Sequence, residues 1–258
     1  MRYLLISDVH ANLEALEATL AAAGSYDRVL VLGDLVGYGA DPNAAIDRVR
    51  QLPTAAVIRG NHDKVAAGLD DADSFNLVAR LAVEWTAAAL TAENLAWLAA
   101  LPRGPVIVDD LTEICHGAPF DEDVYVFDDV DAQRSLKSAQ RPLCLFGHTH
   151  VPAIFTLEKS PRAGGQLRAR GGRELDVTAT RGYSSFRLDL DDRARYLVNC
   201  GAVGQPRDGD ARAAWGLLDT DTRSVTMTRT PYDVAAAQAK IVEAGLPEML
   251  AHRLALGR

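Results

Sequence analysis

Five of the six histidines in this 258-residue chain stand in short motifs beside a carboxylate, an amide or a glycine. The histidine motifs are Asp8-Val9-His10, Gly60-Asn61-His62-Asp63, His116-Gly117 and Gly147-His148-Thr149-His150. The pair Gly33-Asp34 completes the set of candidate residues. Carboxylates and imidazoles without thiolates suit divalent manganese, iron, zinc or nickel. A carboxylate can bridge two such ions about 3.5 to 4 Å apart, and a water between them becomes hydroxide near neutral pH. With a protonated histidine nearby, such a centre would hydrolyse a phosphoester.

Each motif follows an apolar segment of strand length, with at most one residue between them; the segments are residues 2–6, 28–32, 55–58, 111–115 and 143–146. Ligands gather at the carboxyl ends of strands in layered α/β proteins, so five distant segments could meet at one place. Helical patterns cover residues 13–23, 42–51, 75–90, 91–101 and 231–244, a last helix is expected after Pro247, and mostly strand patterns fill 106–229. This order predicts an α/β or α+β fold in which two sheets pack face to face with helices outside.

Length and composition limit the function classes. A chain of 258 residues is most simply one domain spanning residues 1–258. The net charge of -8 argues against general affinity for nucleic acid or for an anionic membrane surface. No apolar run is long enough to span a membrane, and no secretory signal is evident. Three cysteines without Cys-x-x-Cys spacing are interpreted as buried thiols of a cytoplasmic protein.

Two segments interrupt the scaffold. Residues 121–140 are acidic around Val124-Tyr125-Val126-Phe127, and residues 159–183 are rich in glycine, with six basic against two acidic side chains. Each segment is either a solvated loop or hairpin, or an insertion that forms the rim of a substrate site. The sequence leaves both interpretations open.

The motifs differ in how selective they are. An Asp-x-His pair, a Gly-Asp pair or a lone histidine after a strand is common in proteins that bind no metal. Gly-Asn-His-Asp and Gly-His-x-His are much rarer, and their order along the chain favours a metal site over ordinary hydrogen-bonded side chains. The set resembles the successive signatures of the calcineurin-like metallophosphoesterase superfamily over about residues 2–206. Residues 33–42 and 199–207 further resemble its small bacterial and archaeal phosphodiesterase branch, often described as diadenosine tetraphosphatase-like.

That resemblance implies a four-layer αββα sandwich of two mixed sheets flanked by helices. It also implies two divalent ions, with manganese preferred to iron, zinc or nickel. The implied ligands are Asp8, His10 and His150 for the first ion, Asn61, His116 and His148 for the second, and Asp34 as the bridge. His62 would face the substrate and protonate the leaving group or stabilise its charge, while Asp63 would orient the His62 ring. Ala11, Cys200 and Ala202 depart from the usual pattern, but none of them removes an implied ligand.

Two further residues are candidates for substrate contact. Arg207 follows the late glycine loop, which comprises residues 199–206, and could bind phosphate. Tyr38 lies close to Asp34 in the sequence and could stack on a base or simply pack in the core.

Three functions are compatible with these residues. The first is a dinuclear metal-dependent phosphoesterase that hydrolyses small phosphodiesters or nucleotides through a metal-bridging hydroxide. The second is a specialised form, an asymmetric diadenosine tetraphosphate hydrolase. The third is a catalytically weak scaffold for protein partners, although such scaffolds tend to lose a metal-binding histidine. The expected partner is a small phosphoester or nucleotide, and homo-oligomer formation stays open.

Overall fold

The computed structural model describes residues 1–158 and 183–258, together with the backbone of a strand at Leu175–Thr178. The strands are β1 Arg2–Ile6, β2 Arg28–Val31, β3 Thr54–Val57, β4 Val106–Ile107, β5 Thr112–Ile114, β6 Leu143–Phe146, β7 Ala153–Glu158, β8 Leu175–Thr178, β9 Ser185–Asp189, β10 Ala194–Asn199, β11 Ala213–Asp219 and β12 Ser224–Thr230. The helices are α1 Leu13–Ala22, α2 Pro42–Arg50, α3 Asn61–Ala66, α4 Leu77–Ala89, α5 Ala92–Ala99, α6 Asp129–Ser138, α7 Val234–Glu243 and α8 Glu248–Leu256.

The strands form two mixed sheets of six strands each. Their orders are β3-β2-β1-β11-β12-β9 and β4-β5-β6-β10-β7-β8. In the first sheet β1, β2 and β3 are parallel, and in the second sheet β5, β6 and β10 are parallel. Parallel strands end at the same edge, so this topology brings the segments that follow β1, β2, β3, β5 and β6 toward one region.

Burial on both faces of the central strands builds the layers. In β1, Tyr3 and Leu5 pack between the two sheets, while Leu4 and Ile6 pack under the outer helices. This alternation follows the two-residue period of a strand. On the far side, Leu136 of α6 covers the outer face of the second sheet. The predicted sandwich of two mixed sheets flanked by helices is confirmed.

Most predicted elements occur within a few residues of their expected bounds. The Asn12 side chain accepts a hydrogen bond from the Ala15 amide at 3.1 Å and caps α1, and the Thr91 hydroxyl accepts one from the Asn94 amide at 3.2 Å and caps α5. Side-chain oxygens at these positions satisfy amides that have no partner inside the helix. Pro42 stands at the first turn of α2, where a missing amide hydrogen costs nothing.

Two helices were not predicted. Helix α3 begins on the Gly-Asn-His-Asp motif, and its six residues are too few to show an apolar period. Helix α6 fills half of the 121–140 segment, so the interpretation of that segment as only a loop or hairpin is wrong. The Asp128 carboxylate caps α6 by accepting hydrogen bonds from the Val130 and Asp131 amides. In the described residues, no helix has the length and apolar character needed to cross a membrane.

Candidate metal centre

The seven predicted metal ligands meet at the carboxyl edges of the two sheets. One group consists of Asp8, His10, Asp34 and His150, and a second consists of Asp34, His116 and His148. Within each group the ligand atoms lie within 4.8 Å of one another, and every member is buried. The Asn61 Oδ1 atom lies 3.2 Å from the His116 Nε2 atom and so adjoins the second group. Asp34 is the residue that the two groups share.

Backbone carbonyls hold three of these rings in one orientation. The Nδ1 atoms of His10, His116 and His150 lie 3.0, 2.8 and 2.6 Å from the carbonyl oxygens of Val36, Leu32 and Gln205. A carbonyl oxygen only accepts, so in the neutral form each Nδ1 carries the proton and each Nε2 presents a lone pair. In metal sites, carbonyl partners of this kind fix the tautomer of the metal-binding histidine.

The resulting donor set fits a cation. The Nε2 atoms of His10 and His150 lie 3.1 Å apart with both lone pairs facing the cluster, so neutral rings cannot hydrogen-bond to each other. Within the described part of the chain the buried Asp34 Oδ2 atom has no hydrogen-bond partner, yet it lies 3.5 and 3.3 Å from the Nε2 atoms of His10 and His116. A divalent ion would satisfy these facing lone pairs and the carboxylate together.

His148 presents its other nitrogen. Its Nε2 atom lies 3.2 Å from the Asp123 carbonyl oxygen, which leaves Nδ1 for the cluster. The Asp123 carbonyl belongs to the 121–140 segment, so this segment orients a candidate ligand. Its Tyr125 ring stacks on the His148 ring with centroids 3.8 Å apart. No sequence motif pointed to this carbonyl contact.

Electrostatics of the protein groups also favour a cation. Burial lowers the pKa of His116, but the carboxylates of Asp34 and Asp8 outweigh burial and raise this pKa to about 10. Burial lowers the pKa of His148 to about 3, with the neighbouring His116 charge acting in the same direction. At pH 7 the His116 ring is therefore protonated and the His148 ring is neutral. A metal ion that binds His116 would have to displace the proton from this ring.

Backbone strain concentrates at this site. Among the described residues, eight residues other than glycine have positive φ angles, and all except Arg223 lie in or beside the cluster: Asp8, His10, Ala11, Asp34, Tyr38, His148 and His150, with φ from 48° to 66°. Each such conformation costs about 1 to 3 kcal/mol relative to ordinary backbone. Gly60 adds a close approach, since a Cβ atom there would collide with the Asp34 carboxylate. The fold thus holds these side chains together at a cost in stability.

His62 lies beside the cluster, outside both ligand groups. Its ring contacts Tyr38 and Phe75 with centroids 4.4 and 4.7 Å away, and its backbone amide donates to the Asp34 Oδ1 atom at 2.9 Å. Burial lowers the pKa of His62 to about 4, so its neutral form prevails at pH 7. The Nδ1 atom is buried without a partner among the described residues. Gly37 leaves room for the ring, because a Cβ atom there would lie 2.5 Å from Nδ1.

Asp63 has different partners from those expected. Its carboxylate oxygens accept hydrogen bonds from the backbone amides of Val36 and Gly60, at 3.1 and 3.0 Å. The Gly60 contact caps helix α3, and the Val36 contact ties that helix to the segment after Asp34. Asp63 therefore positions the backbone that carries His62. These hydrogen bonds join its carboxylate to backbone amides, whereas the expected contact was with the His62 ring.

Both predicted substrate residues lie beside the cluster. Tyr38 is only 7% exposed and contacts the His10 ring with centroids 4.7 Å apart. Arg207 donates from its guanidinium to the Gln205 Oε1 atom at 2.9 Å, and its Cζ atom lies 5.6 Å from the centre of the Tyr38 ring. Arg59, by contrast, forms a two-pronged ion pair with Glu122 at 3.0 and 3.2 Å. The basic side chains of residues 159–182 lie outside the described residues.

Comparison with known proteins is consistent with this geometry. Residues 1–223 match the calcineurin-like phosphoesterase superfamily domain. An uncharacterized protein of Methanocaldococcus jannaschii is 34% identical over 264 residues, which cover 98% of this chain and 97% of that protein. The crystal structure of a metallophosphoesterase from Sphaerobacter thermophilus is similar with 39% identity and a TM-score of 0.83, covering 100% of this chain and 99% of that one.

A third match concerns the fold alone. The crystal structure of a hypothetical protein from Pyrococcus horikoshii has 18% identity and a TM-score of 0.74, covering 100% of this chain and 98% of that one. The two sheets, the buried cluster at their edges and the match over residues 1–223 lead to one conclusion. The chain belongs to the calcineurin-like phosphoesterase superfamily.

Proposed function

We propose that this protein is a phosphoesterase that uses two divalent metal ions to hydrolyse small phosphodiesters or nucleotides. The observation that carries this proposal is the pair of buried ligand groups that share Asp34. A shared carboxylate between two sets of nitrogen and oxygen donors is the arrangement that a two-metal site requires. The net charge of -8 makes a small substrate a better fit than nucleic acid.

Each proposed ion has its own donors. The first would take Asp8, His10 and His150, the second would take Asn61, His116 and His148, and Asp34 would contact both. This set of oxygens and imidazole nitrogens suits manganese, and it also accepts iron, zinc or nickel. When bound, the ions supply an acidified water and positive charge that neutralises the phosphoryl oxygens.

His62 would act on the substrate rather than on a metal. Its neutral form at pH 7 can donate a hydrogen bond to a phosphoryl or leaving oxygen, and a bound anion would raise its pKa toward the range of a proton donor. Phe75 packs on the ring, and helix α3 holds its backbone beside Asp34. Asp63 would position His62 indirectly, because its carboxylate accepts the Gly60 amide and fixes the start of that helix.

A second candidate is the asymmetric hydrolysis of diadenosine tetraphosphate. The exposed aromatic rings of Tyr125 and Phe127 are parallel, with centroids 5.3 Å apart, and Tyr125 stacks on His148. Arg207 lies near the Tyr38 ring, which contacts His10 and His62. An adenine could stack on the first pair while phosphates meet Arg207. Cleavage next to one nucleoside would then yield ATP and AMP.

A scaffold function fits the structure less well. The cluster places seven polar side chains in the interior and holds strained backbone around them. Both features cost stability, and a protein whose surface alone binds partners would have no use for them.

A metal analysis combined with a substrate panel tests the proposal. Protein stripped by a chelator should lose nearly all hydrolysis of bis(4-nitrophenyl) phosphate and of nucleotide diesters, and manganese should restore it. Chromatography of diadenosine tetraphosphate products then separates the two candidates, because two ADP would contradict asymmetric cleavage. Full turnover by protein without detectable metal would overturn the proposal itself.

A further inference from the structure

A tight turn at residues 118–124 packs beside the donors proposed for the second ion. Reciprocal backbone hydrogen bonds between Ala118 and Asp121, at 2.9 and 3.1 Å, close this turn. Its Glu122 side chain is only 5% exposed although it is a carboxylate. A carboxylate is costly to bury unless cations or hydrogen-bond donors accompany it, so the partners of Glu122 indicate what the turn is attached to.

Glu122 joins the 118–124 turn to both ends of the Gly-Asn-His-Asp motif. Arg59 directly precedes the motif and donates two hydrogen bonds to the Glu122 carboxylate, at 3.0 and 3.2 Å. Lys64 directly follows the motif, and its Nζ atom lies 3.7 Å from the same carboxylate. Lys64 also donates to the Asp123 side chain at 2.7 Å. The proposed donor Asn61 therefore lies on a segment that is attached to the turn on both sides.

The same turn packs closely on the residue after His116. A Cβ atom at Gly117 would lie 2.6 Å from the carbonyl oxygens of both Glu122 and Val124. Atoms that are not bonded to each other do not approach this closely, so a larger residue at this position would displace the turn. The contact gives a reason for the glycine of the His116-Gly117 motif.

A third contact reaches His148. The Asp123 carbonyl oxygen, which belongs to the turn, lies 3.2 Å from the Nε2 atom of His148. All donors proposed for the second ion alone therefore lie in or next to a segment that the turn contacts, namely Asn61, His116 and His148. The histidines proposed for the first ion, His10 and His150, are oriented by backbone carbonyls outside the turn.

We propose that Glu122 is a positioning residue that assembles the second metal site. Its ion pair with Arg59 and its proximity to Lys64 hold the 118–124 turn against the segment that carries Asn61. The turn in turn sets the spacing between that segment and the two histidines of the site. This inference rests on the proposed function, because it concerns the second of its two ions. Loss of the Glu122 charge should then affect the second ion and spare the first, whereas a residue that only stabilised the fold would affect both alike or neither.

Manganese content and electron paramagnetic resonance provide the test. Manganese-loaded wild-type protein should hold two ions and give the signal of a magnetically coupled pair. Glu122→Gln keeps the shape of the side chain and removes its charge, so it should weaken the second ion about 10- to 100-fold and leave the first unchanged. After dialysis this variant should retain one ion and give the signal of an isolated ion. Anomalous diffraction from its crystals should place that ion at Asp8, His10 and His150.

A matched control and two further variants separate positioning from a loss of stability. Asp210→Asn is the control, because the Asp210 side chain is 14% exposed and pairs with Arg212 outside the turn; it should keep the coupled signal. Gly117→Ala leaves Glu122 intact but displaces the turn, so it should lose the same ion as Glu122→Gln. Arg59→Gln removes the other partner of the ion pair and carries the test if thermal melting shows that Glu122→Gln is unfolded. The double variant of Arg59 and Glu122 should lose little more than either single variant, since both remove one interaction.

Three outcomes would contradict the proposal in different ways. A coupled pair of equal affinity in wild type and in folded Glu122→Gln overturns the positioning role and leaves the proposed function intact. Equal weakening of both ions in Glu122→Gln also overturns it, because Glu122 would then support the fold as a whole. Wild-type protein that binds fewer than two manganese ions contradicts the proposed two-metal function and the positioning role together.

Discussion

Replacing Asp34 by asparagine should separate metal binding from folding. The Asp34 Oδ1 atom accepts the His62 amide at 2.9 Å, and an asparagine oxygen can keep that bond and hold helix α3 in place. The Oδ2 atom lies 3.5 Å from His10 and 3.3 Å from His116, and it would be replaced by a neutral amide nitrogen that cannot bind a cation. The variant should therefore fold normally and bind metal poorly.

The size of the effect follows from the position of Asp34 between the two ligand groups. Removing a group that merely supports a metal ligand lowers metal affinity about 10- to 100-fold. Asp34 would bind both ions directly, so each should bind at least about 100-fold more weakly, or about 2.7 kcal/mol. His62→Ala removes a ring outside both ligand groups, so it should keep both metals and lose about 10²- to 10⁴-fold in turnover.

Metal content after dialysis, thermal melting and turnover are the assays. Asp123→Asn is the control, because its side chain is half exposed and pairs with Lys64, while the backbone carbonyl that contacts His148 is kept. The control should retain both metals. Equal metal loss in Asp34→Asn and His62→Ala would refute the assignment of His62, and full metal content in Asp34→Asn would refute the shared-ligand role of Asp34.

Three further outcomes are expected. Metal uptake near pH 7 should release about one proton from His116, because its pKa of about 10 keeps the ring charged beforehand. The affinity for manganese should therefore rise with pH, and an affinity that does not change between pH 6 and pH 8 would contradict this. Gly37→Ala should displace the His62 ring and lower turnover about 100-fold without metal loss, whereas Gly68→Ala, at a similar positive φ but in open space, should not. Replacing Arg168, Arg170 and Arg173 by alanine should raise the KM for multiply charged substrates more than for a single diester, and an equal response would mean that these side chains are merely solvated.

The sequence predicted which residues gather in the buried cluster because each candidate ligand lies close to the end of a strand in the chain. The apolar run 2–6 ends two residues before Asp8, and the run 143–146 ends directly before the Gly-His-x-His motif, so a strand and the candidate ligand after it are recognisable from the local sequence. The late glycine loop also placed Arg207 near the centre, where the structure has it.

Features that depend on contacts between distant parts of the chain could not be predicted from the sequence. The family resemblance implied that Asp63 orients the His62 ring, but its carboxylate accepts hydrogen bonds from the amides of Gly60 and Val36. Arg253 stands on the last helix with no motif around it, and only the packing of α8 brings it to Tyr38. Helix α6 was missed because its sequence is mostly polar and its burial depends on the second sheet.

Anomalous diffraction from crystals grown with manganese tests the central claim most directly. We predict two peaks, both in contact with the Asp34 carboxylate. One peak should also contact Asp8, His10 and His150, and the other should contact Asn61, His116 and His148. A single peak, or two peaks of which one does not touch Asp34, would contradict the shared-carboxylate centre.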